Sequence, residues 1–213
     1  NICKYWLECQ ERLVFSEELN PIYNIFKTHS ANLTVNNNNF TNESLTSGII
    51  YIIRDPREII ISYSNHMKKK FNDTMDAIFD QKRLLSAENN LAVALMSSWN
   101  IHYESWKTLN VPRLLIKYEN LINNPKKEFK KISEFLGNRL SIDYDILMKK
   151  NLNVFNTTKI DIFRNYEKNK GFDEAPKNSL FFGNAKIDSW KEKLSTKQII
   201  KVEDIFNKTM HEL

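Results

Sequence analysis

The run Gly48-Ile49-Ile50-Tyr51-Ile52-Ile53, and the three residues after it, narrow the choice of fold more than any other part of the chain. An unbroken β-branched and aromatic stretch is the pattern of a strand buried on both faces, and such strands belong to parallel sheets covered by helices. Arg54-Asp55-Pro56 then closes the strand and opens a helix. Asp55 suits the N-cap because its carboxylate can accept from the first helical amides, and Pro56 suits the first helical position because its missing N–H would have no partner there. Two more segments read as strands: Tyr23-Asn24-Ile25-Phe26-Lys27, which follows Pro21, and Pro112-Arg113-Leu114-Leu115-Ile116-Lys117-Tyr118. The order β, β, α, β, α predicts an α/β fold with a parallel sheet flanked by helices.

The helices are marked by periodicity and caps. Ala92, Leu95, Trp99, His102, Trp106 and Leu109 recur at alternating spacings of three and four, which predicts one long helix with a broad apolar stripe. Phe129, Ile132, Phe135 and Leu136 mark a second, with Gly137 in the usual C-cap place. Ser195 and Gln198 predict a capping box ahead of Ile199, Val202, Phe206 and Met210. Asn36-Asn37-Asn38-Asn39 and the stretch from Gly171 to Gly183 read as loops, and no boundary divides residues 1–213, so a single domain is expected.

With 213 residues, 41% of them hydrophobic and 27% charged, the chain can bury a core and is not of disordered composition. Four glycines and five prolines argue against repetitive β architecture. The net charge of +5 suits an anionic ligand, and suits plain solubility equally. No apolar run is long enough for a membrane helix, so no membrane partner is expected. Two cysteines, Cys3 and Cys9, are too few for a disulfide framework or a zinc site, and favour a cytoplasmic setting with no bound metal. Lys68-Lys69-Lys70 and Lys126-Lys127 with Lys130-Lys131 read as solvated helix faces; they lack interleaved aromatic residues, so nucleic acid is not an expected partner.

Arg54 stands where a parallel strand ends, the edge at which α/β sheets bind ligands. Its guanidinium can offer a forked pair of charge-assisted hydrogen bonds to a phosphate, with Ser62 about two turns along the helix as a further donor. An arginine tied to a carboxylate beside a capped helix fits the same residues, and the two readings stay open on the pattern alone. Among the histidines, His102 reads as a core residue and His211 as a solvated one. His66 follows Ser62 by four residues on one helix face, and reads either as a surface residue or as a border of an acceptor pocket. His29, after the first expected strand, sits where a general base can reach a substrate, and imidazole titrates near neutrality.

The run Arg54-Asp55-Pro56-Arg57-Glu58, continued by Ser62-Tyr63, resembles the 3′-phosphate-binding segment of the PAPS-dependent sulfotransferases. Phe26-Lys27-Thr28-His29 is similar to the family's K-T-H segment, and Tyr118-Glu119-Asn120-Leu121 to its Y-E-[DN]-L segment. Lys186-Ile187-Asp188-Ser189-Trp190-Lys191 is a weaker match to its G-[DS]-W-K region. The resemblance implies a P-loop NTPase-like fold and transfer of a sulfuryl group from 3′-phosphoadenosine 5′-phosphosulfate (PAPS) to a small-molecule or saccharide acceptor, leaving 3′-phosphoadenosine 5′-phosphate (PAP). It implies His29 as catalytic base and Lys27 as its assistant, with Arg54, Ser62, Tyr118 and Lys186 holding the nucleotide. A catalytically inactive nucleotide-binding or interaction module of the same fold is the alternative.

Two departures accompany the resemblance. The family's first strand leads into a loop close to P-K-S-G-[NT]-[TS]-W that cradles the 5′-phosphosulfate, and no glycine precedes Lys27 here. The chain therefore reads as N-terminally truncated, with an open sheet edge and a possible homo-oligomer as consequences. Gly183 and Asn184 stand where the family carries basic residues, leaving Lys186 as the nearest cation.

Overall fold

The computed structural model describes residues 2–14, 24–85, 93–172, 181–182 and 187–213. In chain order its elements are α1 (Ile2–Val14), β1 (Thr34–Val35), β2 (Asn38–Asn39), β3 (Ile49–Ile53), α2 (Pro56–Met67), α3 (Phe71–Phe79), β4 (Leu84–Leu85), β5 (Ala94–Leu95), α4 (Trp99–Lys107), β6 (Arg113–Lys117), α5 (Tyr118–Asn123), α6 (Pro125–Leu140), α7 (Tyr144–Thr157), α8 (Ile160–Lys170), α9 (Trp190–Lys193) and α10 (Thr196–Glu212). They divide into two compact units, Asn1–Ile49 with Asp76–Arg113, and Ile50–Met75 with Leu114–Leu213.

In the first unit, α1 lies against the hairpin β1–β2, which pairs Thr34 with Asn39 and Val35 with Asn38. Asn36 and Asn37 form its two-residue turn with φ of 52° and 62°, a left-handed pair that asparagine tolerates better than most residues. The asparagine tract is thus half tight hairpin turn, Asn36 and Asn37, and half strand, Asn38 and Asn39. Trp6 stacks on Phe40 at 5.7 Å, and Phe40 meets the edge of Trp106 at 5.9 Å, which makes an aromatic centre for this unit. β4 and β5 form a second antiparallel pair, Leu84 opposite Leu95. Leu95 therefore sits in a strand. The long helix expected from Ala92 begins only at Trp99, after Ser97 takes a left-handed φ of 56° and Ser98 an extended cap conformation. Ala92 itself lies outside the described residues.

The second unit is built on β3 and β6. Ile49 N–H donates to the Pro112 carbonyl where the strands begin, and Arg54 and Asp55 meet Tyr118 and Glu119 where they end, so the pair runs parallel. Ile60, Ile61, Ile116, Val202 and Phe206 are buried around it. Ile53 is buried too, but Ile52 is 58% exposed, so β3 is covered on one face only and the expectation of burial on both is corrected. The N-cap expected at Asp55 is present, its carboxylate accepting from Arg57 N at 2.8 Å. The capping box at Ser195 and Gln198 is also complete.

The strand expected over Tyr23–Lys27 is not formed. Tyr23 lies outside the described residues, and residues 24–33 carry no regular structure. Ile25 is 79% exposed, so its apolar pattern is not matched by burial or by a paired edge. Gly137 is likewise not a cap. α6 runs on to Leu140 and closes at Ser141, which takes the left-handed conformation, while Gly137 is buried inside the helix facing Leu147 of α7. A methyl group at Gly137 would collide with Leu147 Cδ1. We expect Gly137→Val to destabilise the chain by about 1–3 kcal/mol through overpacking. Adding Leu147→Ala should recover part of that loss, so urea denaturation giving strictly additive effects would show that the α6–α7 approach does not require glycine.

Candidate active site

Arg54 and Tyr118 are brought together in the second unit. The Arg54 guanidinium carbon lies 4.4 Å from the centroid of the Tyr118 ring, a cation–π contact across the ends of the two strands. Asp55 N–H, which follows the strand and precedes the helix ladder, donates to Glu119 Oε1 at 3.0 Å. Residues that directly follow β3 thus grip residues that directly follow β6. Arg54 Nη2 also contacts Glu58 Oε2 at 3.2 Å, the arginine 21% exposed and the glutamate 2%. The sequence left a phosphate ligand and a carboxylate partner as alternatives for Arg54; the structure supplies the carboxylate and leaves the guanidinium at the strand edge.

Glu58 draws on three donor residues. It accepts from Ser189 Oγ on both oxygens at 3.0 Å and from Trp190 N at 2.9 Å, besides Arg54. The segment 187–191 is therefore carried to Arg54 by Glu58. Lys186 falls outside the described residues. Arg57 has a different environment: Asp55 binds it through two oxygens, Glu203 pairs with it, and its guanidinium lies 3.7 Å over the Trp190 ring. Burial works to lower the Arg57 pKa, and the hydrogen bonds and charges of Asp55 and Glu203 outweigh it and raise it. Ser62 is exposed on α2, four residues after Glu58 and hence on the same face. His66 continues that face, stacked on Tyr63 at 6.4 Å and meeting Phe181 edge-on at 6.0 Å.

Lys27 and His29 belong to the first unit, on an exposed segment that forms no regular strand. Thr28 Oγ1 accepts from Ser30 N at 3.0 Å, a local side-chain-to-backbone bond that spans His29. Ser30 Oγ accepts from Leu95 N at 3.2 Å and Ala31 N donates to the Leu95 carbonyl at 2.7 Å. One face of α4 completes the grip: Trp106 Nε1 donates to the Ser30 carbonyl at 3.1 Å, and Ser105 Oγ accepts from Asn32 N at 2.9 Å. His102 Nε2 lies 3.2 Å from the His29 carbonyl, and because a carbonyl only accepts, this nitrogen carries the proton. His102 is thus satisfied, by the backbone of His29, but it is half-buried and not the core residue expected from the apolar stripe. Sequence reasoning assigned no role to Glu58, Glu119 or Ser189, although all three stand inside the motifs it singled out.

Burial lowers the His102 pKa from its ordinary 6.5, opposed by the His29 carbonyl and assisted by the His29 charge. As the solution is acidified the unfolded chain takes up this proton first, so the stability His102 provides is present above 6.5 and lost as pH falls through its folded value. We expect His102→Gln, which keeps a donor for the carbonyl, to flatten this part of the stability–pH curve. A chain whose unfolding free energy falls as steeply in the variant would place the acid sensitivity elsewhere.

Among the described residues no group of three His, Cys, Asp or Glu side chains gathers as a metal site, and no helix is long and apolar enough to cross a membrane. The chain matches the sulfotransferase domain model over residues 6–213. It is similar to sulfotransferase 1A1 of Rattus norvegicus, 35% identical over 98 residues that make up 43% of this chain and 31% of that protein. It is also similar to 3-beta-hydroxysteroid sulfotransferase of Cavia porcellus, 24% identical over 76% of this chain and 55% of that one. The crystal structure of mouse sulfotransferase SULT7A1 complexed with PAP matches with a TM-score of 0.56 at 20% identity, over 79% of this chain and 59% of that structure, a likeness of fold. The chain spans roughly a third to three fifths of the length of these relatives. On the family match, which runs through both units, the chain belongs to the sulfotransferase domain family.

Proposed function

We propose that the chain takes part in sulfuryl transfer from PAPS to a hydroxyl or amine acceptor, in a cytoplasmic setting, with His29 as general base. The single observation that carries the reading is Arg54 at the carboxyl edge of two parallel strands, stacked on Tyr118, within a chain of this family. A guanidinium held face-on by an aromatic ring and edge-on by a carboxylate suits a phosphate, because its plane is set before the anion arrives. The relative SULT7A1 was crystallised with PAP, the product such a donor would leave.

In this reading Arg54 and Ser62 hold the 3′-phosphate, Tyr118 borders the adenine, and Lys186 adds a cation. The acceptor's proton passes to His29 as the acceptor atom bonds to sulfur, and the bond from sulfur to the 5′-phosphate oxygen breaks. Lys27 balances charge on the transferring group, and PAP departs. Positioning and electrostatics supply the rate in such transfers, more than any covalent step on the protein.

Calorimetry tests the nucleotide part. Arg54→Ala should weaken PAP binding by about 2–4 kcal/mol, and should matter little for adenosine 5′-phosphate, which lacks the 3′-phosphate. Equal harm with both ligands would make Arg54 structural. Transfer of labelled sulfate to a panel of alcohols, phenols, amines and sugars tests the rest. His29→Ala should lower turnover by roughly two to four orders of magnitude with nucleotide affinity kept. If His66→Ala instead abolishes transfer while His29 is dispensable, the base has been misassigned; if neither matters, the non-catalytic module is the better reading.

A further inference from the structure

We propose that Glu58 is a positioning residue for the 3′-phosphate grip, fixing Arg54 and coupling it to the Ser189–Trp190 segment; this rests on the nucleotide reading above.

The case begins with burial. Glu58 is 2% exposed, and an ionised carboxylate so placed is tolerated only when donors fill its lone pairs. The partners it has are all donors: Arg54 Nη2, Ser189 Oγ and Trp190 N. Its place in the first turn of α2 adds the favourable end of the helix dipole. The carboxylate is therefore held on the helix side and on the Ser189 side, and Arg54 meets an acceptor whose own position is fixed.

The effect on Arg54 is geometric. Tyr118 at 4.4 Å sets the plane of the guanidinium, and Glu58 Oε2 at 3.2 Å sets its rotation within that plane. Together they define which way the fork points. The effect is also electrostatic: Glu58 compensates the arginine charge while no anion is present. A glutamine at this site would keep the shape but turn an amide N–H₂ toward a donor. With the amide oxygen retained on Trp190 N, it is Arg54 that loses its acceptor and its orientation.

The experiment measures PAP and adenosine 5′-phosphate affinities by calorimetry, on the full 213-residue chain and on Glu58→Gln and Ser189→Ala. The parent's preference for PAP tests the nucleotide reading, and the change in that preference tests Glu58. We expect Glu58→Gln to weaken PAP by about tenfold, the worth of one charge-assisted hydrogen bond, with adenosine 5′-phosphate unchanged. Ser189→Ala keeps the carboxylate and removes its hydroxyl donor, and should shift the preference in the same direction by less. It carries the test by itself if the glutamine variant fails to fold. Equal loss for both nucleotides would reduce Glu58 to a structural tie, and tighter PAP binding would make it an electrostatic opponent of the phosphate. Either result overturns the proposal while leaving the parent's preference intact. A parent with no preference for PAP would remove the nucleotide reading, and this inference with it.

Discussion

The joint at the carboxyl ends of β3 and β6 is the constraint on which the second unit depends. A chain leaving a strand and entering a helix passes backbone amides that neither ladder can use, that of the N-cap residue among them, and an unpaired amide is costly when shielded from water. Here that amide belongs to Asp55 and is satisfied by Glu119, the second residue after the neighbouring strand. Because the bond runs between the two strand ends, it locks their stagger as well as the start of α2. Asp55 is then free to turn its side chain inward as the N-cap, and Arg54 is left directly over Tyr118.

From that joint two arginines three residues apart meet opposite fates. Arg57 is turned back onto its own cap and onto Glu203, with Trp190 beneath it; two carboxylates offset its charge, and it serves to bind α10 to the start of α2. Arg54 precedes the helix, so it cannot fold back in the same way and stays at the sheet edge. Its acid partner Glu58 is shared with Ser189 and Trp190. The two arginines share a side chain and differ in surroundings: Arg57 ties α10 to α2, and Arg54 ties the end of β3 to Tyr118 and Glu58.

Much of this joint was legible in the sequence because it rests on short-range rules. The β-branched run ending at Ile53, the Asp55-Pro56 pair and the Ser195–Gln198 box each specify a local structure whatever surrounds them. Where the pattern misled, tertiary contacts decided. Leu95 fits a helical stripe, but a backbone ladder with Leu84 claims it, and Ser97 breaks the path. Gly137 looks like a cap because most late glycines are caps, whereas here its missing side chain admits Leu147. Glu58 and Glu119 went without a role for a different reason. Nothing in periodicity distinguishes a buried acceptor from a solvated acid, and their partners lie up to 132 residues away.

The His29 segment shows the same limit from the other side. Tyr23–Lys27 has the composition of a strand, yet a strand needs an edge to pair with, and residues 24–33 meet side chains and a backbone bond from Ala31 to Leu95 instead of a ladder. Trp106, Ser105 and His102 project from one face of α4 and meet three nearby peptide groups, those of Ser30, Asn32 and His29. A helix face thereby does the work of a neighbouring strand while leaving the segment irregular. Irregular backbone fixed by a rigid helix lets side chains point where a pleat would not, because a strand forces neighbours to alternate between faces. Lys27 and His29, two residues apart, would share one face of a flat strand. The irregular backbone, with Thr28 bonded to Ser30 and the His29 carbonyl bonded to His102, is free of that restriction.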